Sequence, residues 1–155
     1  RRGWLGRLPF EQRLSPTPNA ADDLLMVHAN PVDVLQTIQP TAALQMEKTG
    51  FVFEDTTDAI LRPLLENVTA SVLAFGHVHF PNVRQWEGLT LANISSVNIP
   101  LDGDPRAKYG LLTCVRSGGW TIALQYVAYD REAEVAALNT AAFPGWEGVA
   151  QRLAA

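Results

Sequence analysis

The feature that most constrains this chain is a pattern that occurs twice: a short, unbroken apolar run that stops at a histidine. Leu24-Leu25-Met26-Val27 leads into His28-Ala29-Asn30-Pro31, and Ala70-Ser71-Val72-Leu73-Ala74-Phe75 leads into Gly76-His77-Val78-His79 and then Pro81. Continuous runs of this length, bounded by turn residues, are what strands covered on both faces of a sheet present. Between them Ile60, Leu61, Leu64, Leu65 and Val68 fall on one face of a helix that Asp55 or Asp58 can cap, with Pro63 tolerable only near its first turn. Strand, helix, strand is the signature of a βαβ unit, and here it sets a polar residue at the carboxyl end of each strand.

After residue 80 the pattern changes to paired apolar stretches around tight turns. Val83 to Trp86 and Leu89 to Ala92 flank Glu87-Gly88, and Tyr109 to Val115 and Trp120 to Tyr129 flank Ser117-Gly118-Gly119. Both pairs read as β-hairpins. Arg131 to Asn139 has helical propensity, and a Pro144-Gly145 break precedes a short amphipathic tail. Residues 1–20, with Ser15-Pro16-Thr17-Pro18 as a breaker, read as a connecting segment, and residues 21–155 as part of a single α/β domain.

Charge and composition remove several classes of function. A net charge of −4 gives no broad basic surface of the kind that nucleic-acid or anionic-membrane binding uses, so strong nucleic-acid binding is not expected. The apolar runs are far shorter than the ~20 residues of a membrane-spanning helix. Arg1-Arg2-Gly3-Trp4-Leu5-Gly6-Arg7 has no apolar stretch behind it and does not read as a signal peptide. The single Cys114 rules out an intrachain disulfide and fits a reducing compartment, so the expected location is the cytoplasm. The chain also lacks an initiator methionine, and the expectation is that it begins inside a longer protein.

All three histidines of the chain stand at or just past strand ends, where ligands collect in open α/β sheets. His77 and His79, two apart in an extended segment, would project to the same side, and Gly76 would let the backbone approach an ion closely. An isolated His-x-His is more often a hydrogen-bonded pair than a metal site, so the context must decide. Cys114, mid-strand, reads as a small buried hydrophobe. Asp102-Gly103-Asp104-Pro105 is a turn, not a calcium loop, because the glycine and distal glutamate of an EF-hand are out of place. Asp102 and Arg106 are secondary candidates that either brace this loop or meet a phosphate. No Gly-x-Ser-x-Gly elbow, phosphate-cradling Gly-x-x-x-x-Gly-Lys loop or cupin-like glutamate after His-x-His is present.

Taken together, these segments resemble the calcineurin-like metallophosphoesterases, in particular their small bacterial and archaeal phosphodiesterase branch. Leu25-Met26-Val27-His28-Ala29-Asn30-Pro31 is similar to that branch's strand ending in His-Gly-x-Pro, and Gly76-His77-Val78-His79 to its Gly-His-x-His. Asn93-Ile94-Ser95-Ser96-Val97 is similar to its Asn-Pro-Gly-Ser-Val, Asp102 to Ala107 to the loop that follows, and Tyr126-Val127-Ala128-Tyr129-Asp130 to its closing segment. The resemblance covers roughly residues 20–150. Ala29 stands in place of the glycine, and Ile94-Ser95 in place of Pro-Gly. The family's first-half motifs, Asp-x-His, Gly-Asp-x-x-Asp and Gly-Asn-His-Asp/Glu, do not occur in the chain.

The resemblance implies an α/β sandwich with mixed sheets, of which this chain is the C-terminal part and in which the hairpins after residue 80 form the second sheet. It implies two divalent ions (Mn, Zn, Fe or Co), with His28 and His77 on one, His79 on the other, and the remaining ligands from the missing half. It implies hydrolysis of a phosphodiester or phosphomonoester by a hydroxide that the two metals activate, and no catalytic side chain of its own in this chain. Alone, the chain is expected to be inactive or nearly so. The alternative is a scaffold or regulatory protein that keeps the fold without catalysis. Either way, a sheet edge lacking its neighbours favours association with another chain or with itself.

Overall fold

Leu25, Leu73 and Leu91 lie side by side across three parallel strands and are at most 2% exposed, so the centre of the fold is a sheet buried on both faces. The computed structural model describes residues 2–115 and 119–154. In chain order its elements are α1 (Arg2–Leu5), β1 (Glu11–Leu14), a 3-10 turn (Ala20–Asp22), β2 (Leu24–Val27), α2 (Ala42–Thr49), α3 (Asp58–Leu65), β3 (Val72–Phe75), β4 (Asn82–Trp86), β5 (Leu89–Asn93), β6 (Ala107–Cys114), β7 (Trp120–Val127), α4 (Arg131–Thr140) and α5 (Trp146–Ala154). The first five strands form one sheet in the order β1-β2-β3-β5-β4, and β6 and β7 form a second. Strands β2, β3 and β5 are parallel, and β1 and β4 are antiparallel edges, so the sheet is mixed.

Side chains alternate across a strand, so each face of this sheet has its own cluster. On one face Leu25, Leu73, Phe75, Leu89 and Leu91 pack against Leu61, Leu64 and Leu65 of α3, as the helical stripe requires. On the other, Leu24, Val72, Ala74 and Ala92 meet Leu112, Trp120 and Ile122 of the β6–β7 hairpin. Each fully buried Leu contributes about 1.5–3 kcal/mol relative to exposure. The two sheets come very close at Gly110, where a Cβ would lie 2.5 Å from Ile94 Cγ2. Trp120 Nε1 donates to the Asp22 carbonyl at 2.8 Å and pins the hairpin beneath the start of β2.

Four sequence expectations need correction. The segment 1–20, read as a connection, carries the edge strand β1, which Arg13 anchors by donating to Asp23 (3.0 Å) and to the Thr69 carbonyl (2.7 Å). Only β6–β7 forms the second sheet. The Glu87-Gly88 hairpin instead joins the first, because Leu89, Leu91 and Ala92 are apolar toward both faces and require the covered position beside β3. Helix α3 starts from Thr57, with Asp58 in its first turn, and Pro63 lies in its last turn, where it leaves the Ala59 carbonyl without its helical donor. Cys114 is exposed, since β6 has left the core by its last residues. Ser117 and Gly118 of the second hairpin turn lie outside the described residues. Among those described, no helix is long and apolar enough to cross a membrane.

Candidate metal centre

The three parallel strands run in one direction, so the segments that follow them meet at one edge of the sheet. His28 follows β2, Gly76 to His79 follow β3, and Ile94 to Ser96 follow β5. Backbone bonds tie these segments together: Gly76 N–H donates to the His28 carbonyl at 2.9 Å, and Ile94 N–H to the Phe75 carbonyl at 2.9 Å. The fully buried Asn93 donates through Nδ2 to the Gly76 carbonyl (3.2 Å), while its Oδ1 accepts from Ser95 N–H (3.2 Å) and Ser95 Oγ (3.0 Å). A side chain at position 76 would crowd Ser95, whose Cβ lies 3.2 Å from where the added Cβ would stand. Gly76 thus serves strand-end packing.

The His-x-His segment is not extended. His77 and His79 both hold left-handed backbone conformations, with φ of 67° and 53°, and Val78 N–H bonds back to the Gly76 carbonyl at 2.8 Å. This path drives Val78 and Phe80 into the core, where they are 5% and 2% exposed, and leaves both rings only half-buried. Left-handed conformations at non-glycine residues cost of order 1–3 kcal/mol each and gather at functional sites.

His28 and His77 are brought into contact: His28 Nε2 and His77 Nδ1 are 3.0 Å apart, with the rings edge to face at 4.8 Å between centroids. The other nitrogen of His77, Nε2, lies 3.0 Å from the Leu35 carbonyl. A carbonyl can only accept, so Nε2 carries the proton and the lone pair on Nδ1 faces His28. That short separation is satisfied in one of two ways: by a proton on His28 Nε2, or by a cation that both lone pairs address. Two nitrogens bonded at ~2.1 Å to one ion stand about 3.0 Å apart at the right angle of octahedral coordination and about 3.4 Å apart at a tetrahedral one, so the observed spacing is that of a hydrogen bond and also matches, in distance, an octahedral divalent ion. His28 is exposed, and the partial desolvation of its ring, with the charges of protonated His77 and His79, lowers its pKa, which favours the neutral, ligating form.

His79 is held separately. Its Nδ1 lies 2.9 Å from the Ile99 carbonyl, which fixes the proton there and leaves Nε2 as the free lone pair, and its own carbonyl accepts from Leu101 N–H at 2.9 Å. A carbonyl behind each ring is the arrangement that orients imidazole ligands in metal sites. Among the described residues, however, no three His, Cys, Asp or Glu side chains come together as a metal-holding group. Two rings meet, and the third has its own support.

The residues that present these carbonyls were not among the sequence candidates. Asn30, fully buried, accepts from Val32 N–H (2.7 Å) and Asp33 N–H (2.8 Å) and donates to the Gln36 carbonyl (2.8 Å). Asp33 in turn accepts from Leu35 N–H (2.5 Å) and Gln36 N–H (2.7 Å), and these bonds lower its pKa. Together they build the loop that carries Leu35, and Asn-Pro followed by Asp was a readable sign of such a turn. On the other side, the Ile99 loop is fastened by Lys108, whose buried Nζ contacts Asp102 Oδ1 at 2.5 Å and donates to the Asp104 carbonyl. Arg106 pairs with Asp104, not Asp102, with Nη2 to Oδ2 at 2.5 Å, and this pair holds the Asp104 pKa at about 2. Of the two sequence readings of this loop, bracing is the one these contacts support.

No family model matches the sequence, and no curated protein matches it. Solved structures do. The fold is similar to that of a metallophosphoesterase from Sphaerobacter thermophilus, at 19% identity and a TM-score of 0.66 over 99% of this chain. It is also similar to a hypothetical protein from Pyrococcus horikoshii OT3, at 18% identity and a TM-score of 0.63 over 98% of this chain. The chain spans 61% of the first structure and 52% of the second.

Proposed function

We propose that this chain is the histidine-bearing part of a metal-dependent phosphoesterase. The fold is of the metallophosphoesterase type, an α/β sandwich with a mixed sheet, and structures of this type imply divalent metals in general. What carries the reading to this chain is the meeting of His28 Nε2 and His77 Nδ1 at 3.0 Å, at the carboxyl edge of three parallel strands, with the His77 proton fixed on the far nitrogen by the Leu35 carbonyl. Strained backbone at both His77 and His79 marks the same place.

In this reading His28 and His77 hold one ion and His79 a second, and carboxylates outside this chain complete both sites. Divalent ions here would supply a nucleophile at neutral pH and neutralise the charge that builds on the phosphoryl group during in-line attack. The residues of this chain do the positioning. The Leu35 and Ile99 carbonyls keep the ring protons on the outer nitrogens, and Asn93 and Ser95 lock the strand ends together. The substrate class is a phosphodiester or phosphomonoester, and the chain alone is inactive for want of the carboxylates.

The test has two arms. Metal content and manganese or zinc titration should show binding to the wild-type chain that His28→Ala and His77→Ala each weaken by tenfold or more. A metal-free chain under metal-replete conditions refutes the site. In a longer protein that joins this chain to an aspartate-bearing upstream half, a chromogenic phosphodiester should be hydrolysed with manganese. Bound metal without hydrolysis would favour the alternative, a phosphoesterase-fold scaffold.

A further inference from the structure

The loop that follows β5 has two sides. Toward His79 it offers the Ile99 carbonyl and Leu101 N–H. Away from it, Pro100 and Leu101 line an open cavity of about 420 Å³ that is also bordered by the end of α2, by Arg131 of α4 and by Arg152 and Leu153 of α5, and none of the three histidines lines it. That volume falls within the range of small-molecule sites.

Its lining is of two chemical kinds. One wall is apolar: Phe51 and Phe53 stand edge to face with centroids 4.4 Å apart, and they and Leu101 are between 43% and 51% exposed, so the wall meets water as it stands. The lining also carries three cationic side chains, Lys48, Arg131 and Arg152. The one acid in the lining, Asp104, is already held by Arg106. Lys48 pairs with Glu47, an exposed neighbour at 2.8 Å, and lies within reach of the Asp102 charge, and Arg131 donates to the Leu153 carbonyl at 2.6 Å. Arg152 forms no ion pair among the described residues. A chain of net charge −4 has therefore gathered three cations around an aromatic wall.

We propose that this cavity is a binding site for an organic anion with an aromatic body, whose ring covers Phe51 and Phe53 and whose anionic group is met by Arg152 and its cationic neighbours. A small inorganic anion would leave the phenyl wall wet, and a neutral ring would desolvate the guanidinium without compensating it. An aromatic anion satisfies both walls, and the planar guanidinium suits a tetrahedral or carboxylate head group. The site needs neither metal nor histidine, so it stands or falls apart from the phosphoesterase reading.

The experiment is an NMR titration of ¹⁵N-labelled protein in EDTA with naphthalene-1-sulfonate, set beside 1-naphthol and sodium sulfate. The sulfonate should give saturable shifts at the amides of residues 48–53, Leu101 and Arg152, and bind more tightly than either comparison compound. Arg152→Gln and Phe53→Ser, both at exposed positions, should each weaken it about tenfold, the loss of one charge-assisted contact or of the ring stack. The amide shifts of His28 and His77 should not move in either variant. Shifts centred elsewhere, equal affinity for sulfate alone, or unaltered binding by both variants would overturn the proposal.

Discussion

Lys108 is the residue on which the His79 side of the site depends most. Its side chain is fully buried and that of Asp102 is 9% exposed, so Lys108→Met keeps the stem and removes a charge that the structure has already desolvated. What remains is a carboxylate with no cation and an Asp104 carbonyl with one donor fewer. Breaking a buried pair from one side costs about 3–5 kcal/mol, because the orphaned charge is the expensive part. At about 2–4 °C of Tm per kcal/mol for a domain of this size, the melting temperature should fall by roughly 6–20 °C. The double variant Lys108→Met/Asp102→Leu should recover most of that loss, since two apolar groups replace both charges. Arg62→Met is the contrast: its pair with Glu87 at 2.6 Å is exposed on both sides, and Tm should barely move. Calorimetry or thermal circular dichroism reads all three. If Lys108→Met melts like Arg62→Met, or if the double variant is as damaged as the single, the reasoning fails.

Three further outcomes are expected. Gly110→Ala should destabilise by about 1–3 kcal/mol in urea titrations, because the added methyl meets Ile94 at 2.5 Å where the two sheets touch. Asn30→Ala should leave the three polar groups of the Leu35 loop without partners, cost about 1–3 kcal/mol, and weaken zinc binding by about tenfold through the lost support of His77. Asp104 has its pKa lowered to about 2 by Arg106, below its unfolded value, so its contribution is present above about pH 4 and fades as the pH falls toward 2. Asp104→Asn should therefore flatten the loss of stability between pH 4 and 2, as measured by denaturant titrations across that range.

Much of this fold was legible because its centre is written in apolar runs. Leu24 to Val27 and Val72 to Phe75 could only be covered strands, and the stripe from Ile60 to Leu65 could only face them. Strand β1 was not legible, since Glu11 to Leu14 are all exposed and are held by backbone pairing and Arg13. Helix α2 was missed for a related reason: it buries Gln45 and not an apolar stripe, although Thr41 and Gly50 at its two ends are ordinary start and stop signals. Which sheet the first hairpin joins depends on competition for the slot beside β3, which no local pattern records. In the candidate site the three histidines were readable from their places at strand ends. Their partners Leu35 and Ile99 were not, because a backbone carbonyl has no identity in sequence and the turn at His77 runs against the extended path that His-x-His suggests.

In the proposed site His28 and His77 share one ion through particular nitrogens. Imidazole ¹⁵N spectra recorded during zinc titration test it directly. Zinc should shift His28 Nε2 and His77 Nδ1 together, while His77 Nε2 keeps its proton against the Leu35 carbonyl. Zinc that moves His77 Nε2 instead, or that moves one ring without the other, contradicts it.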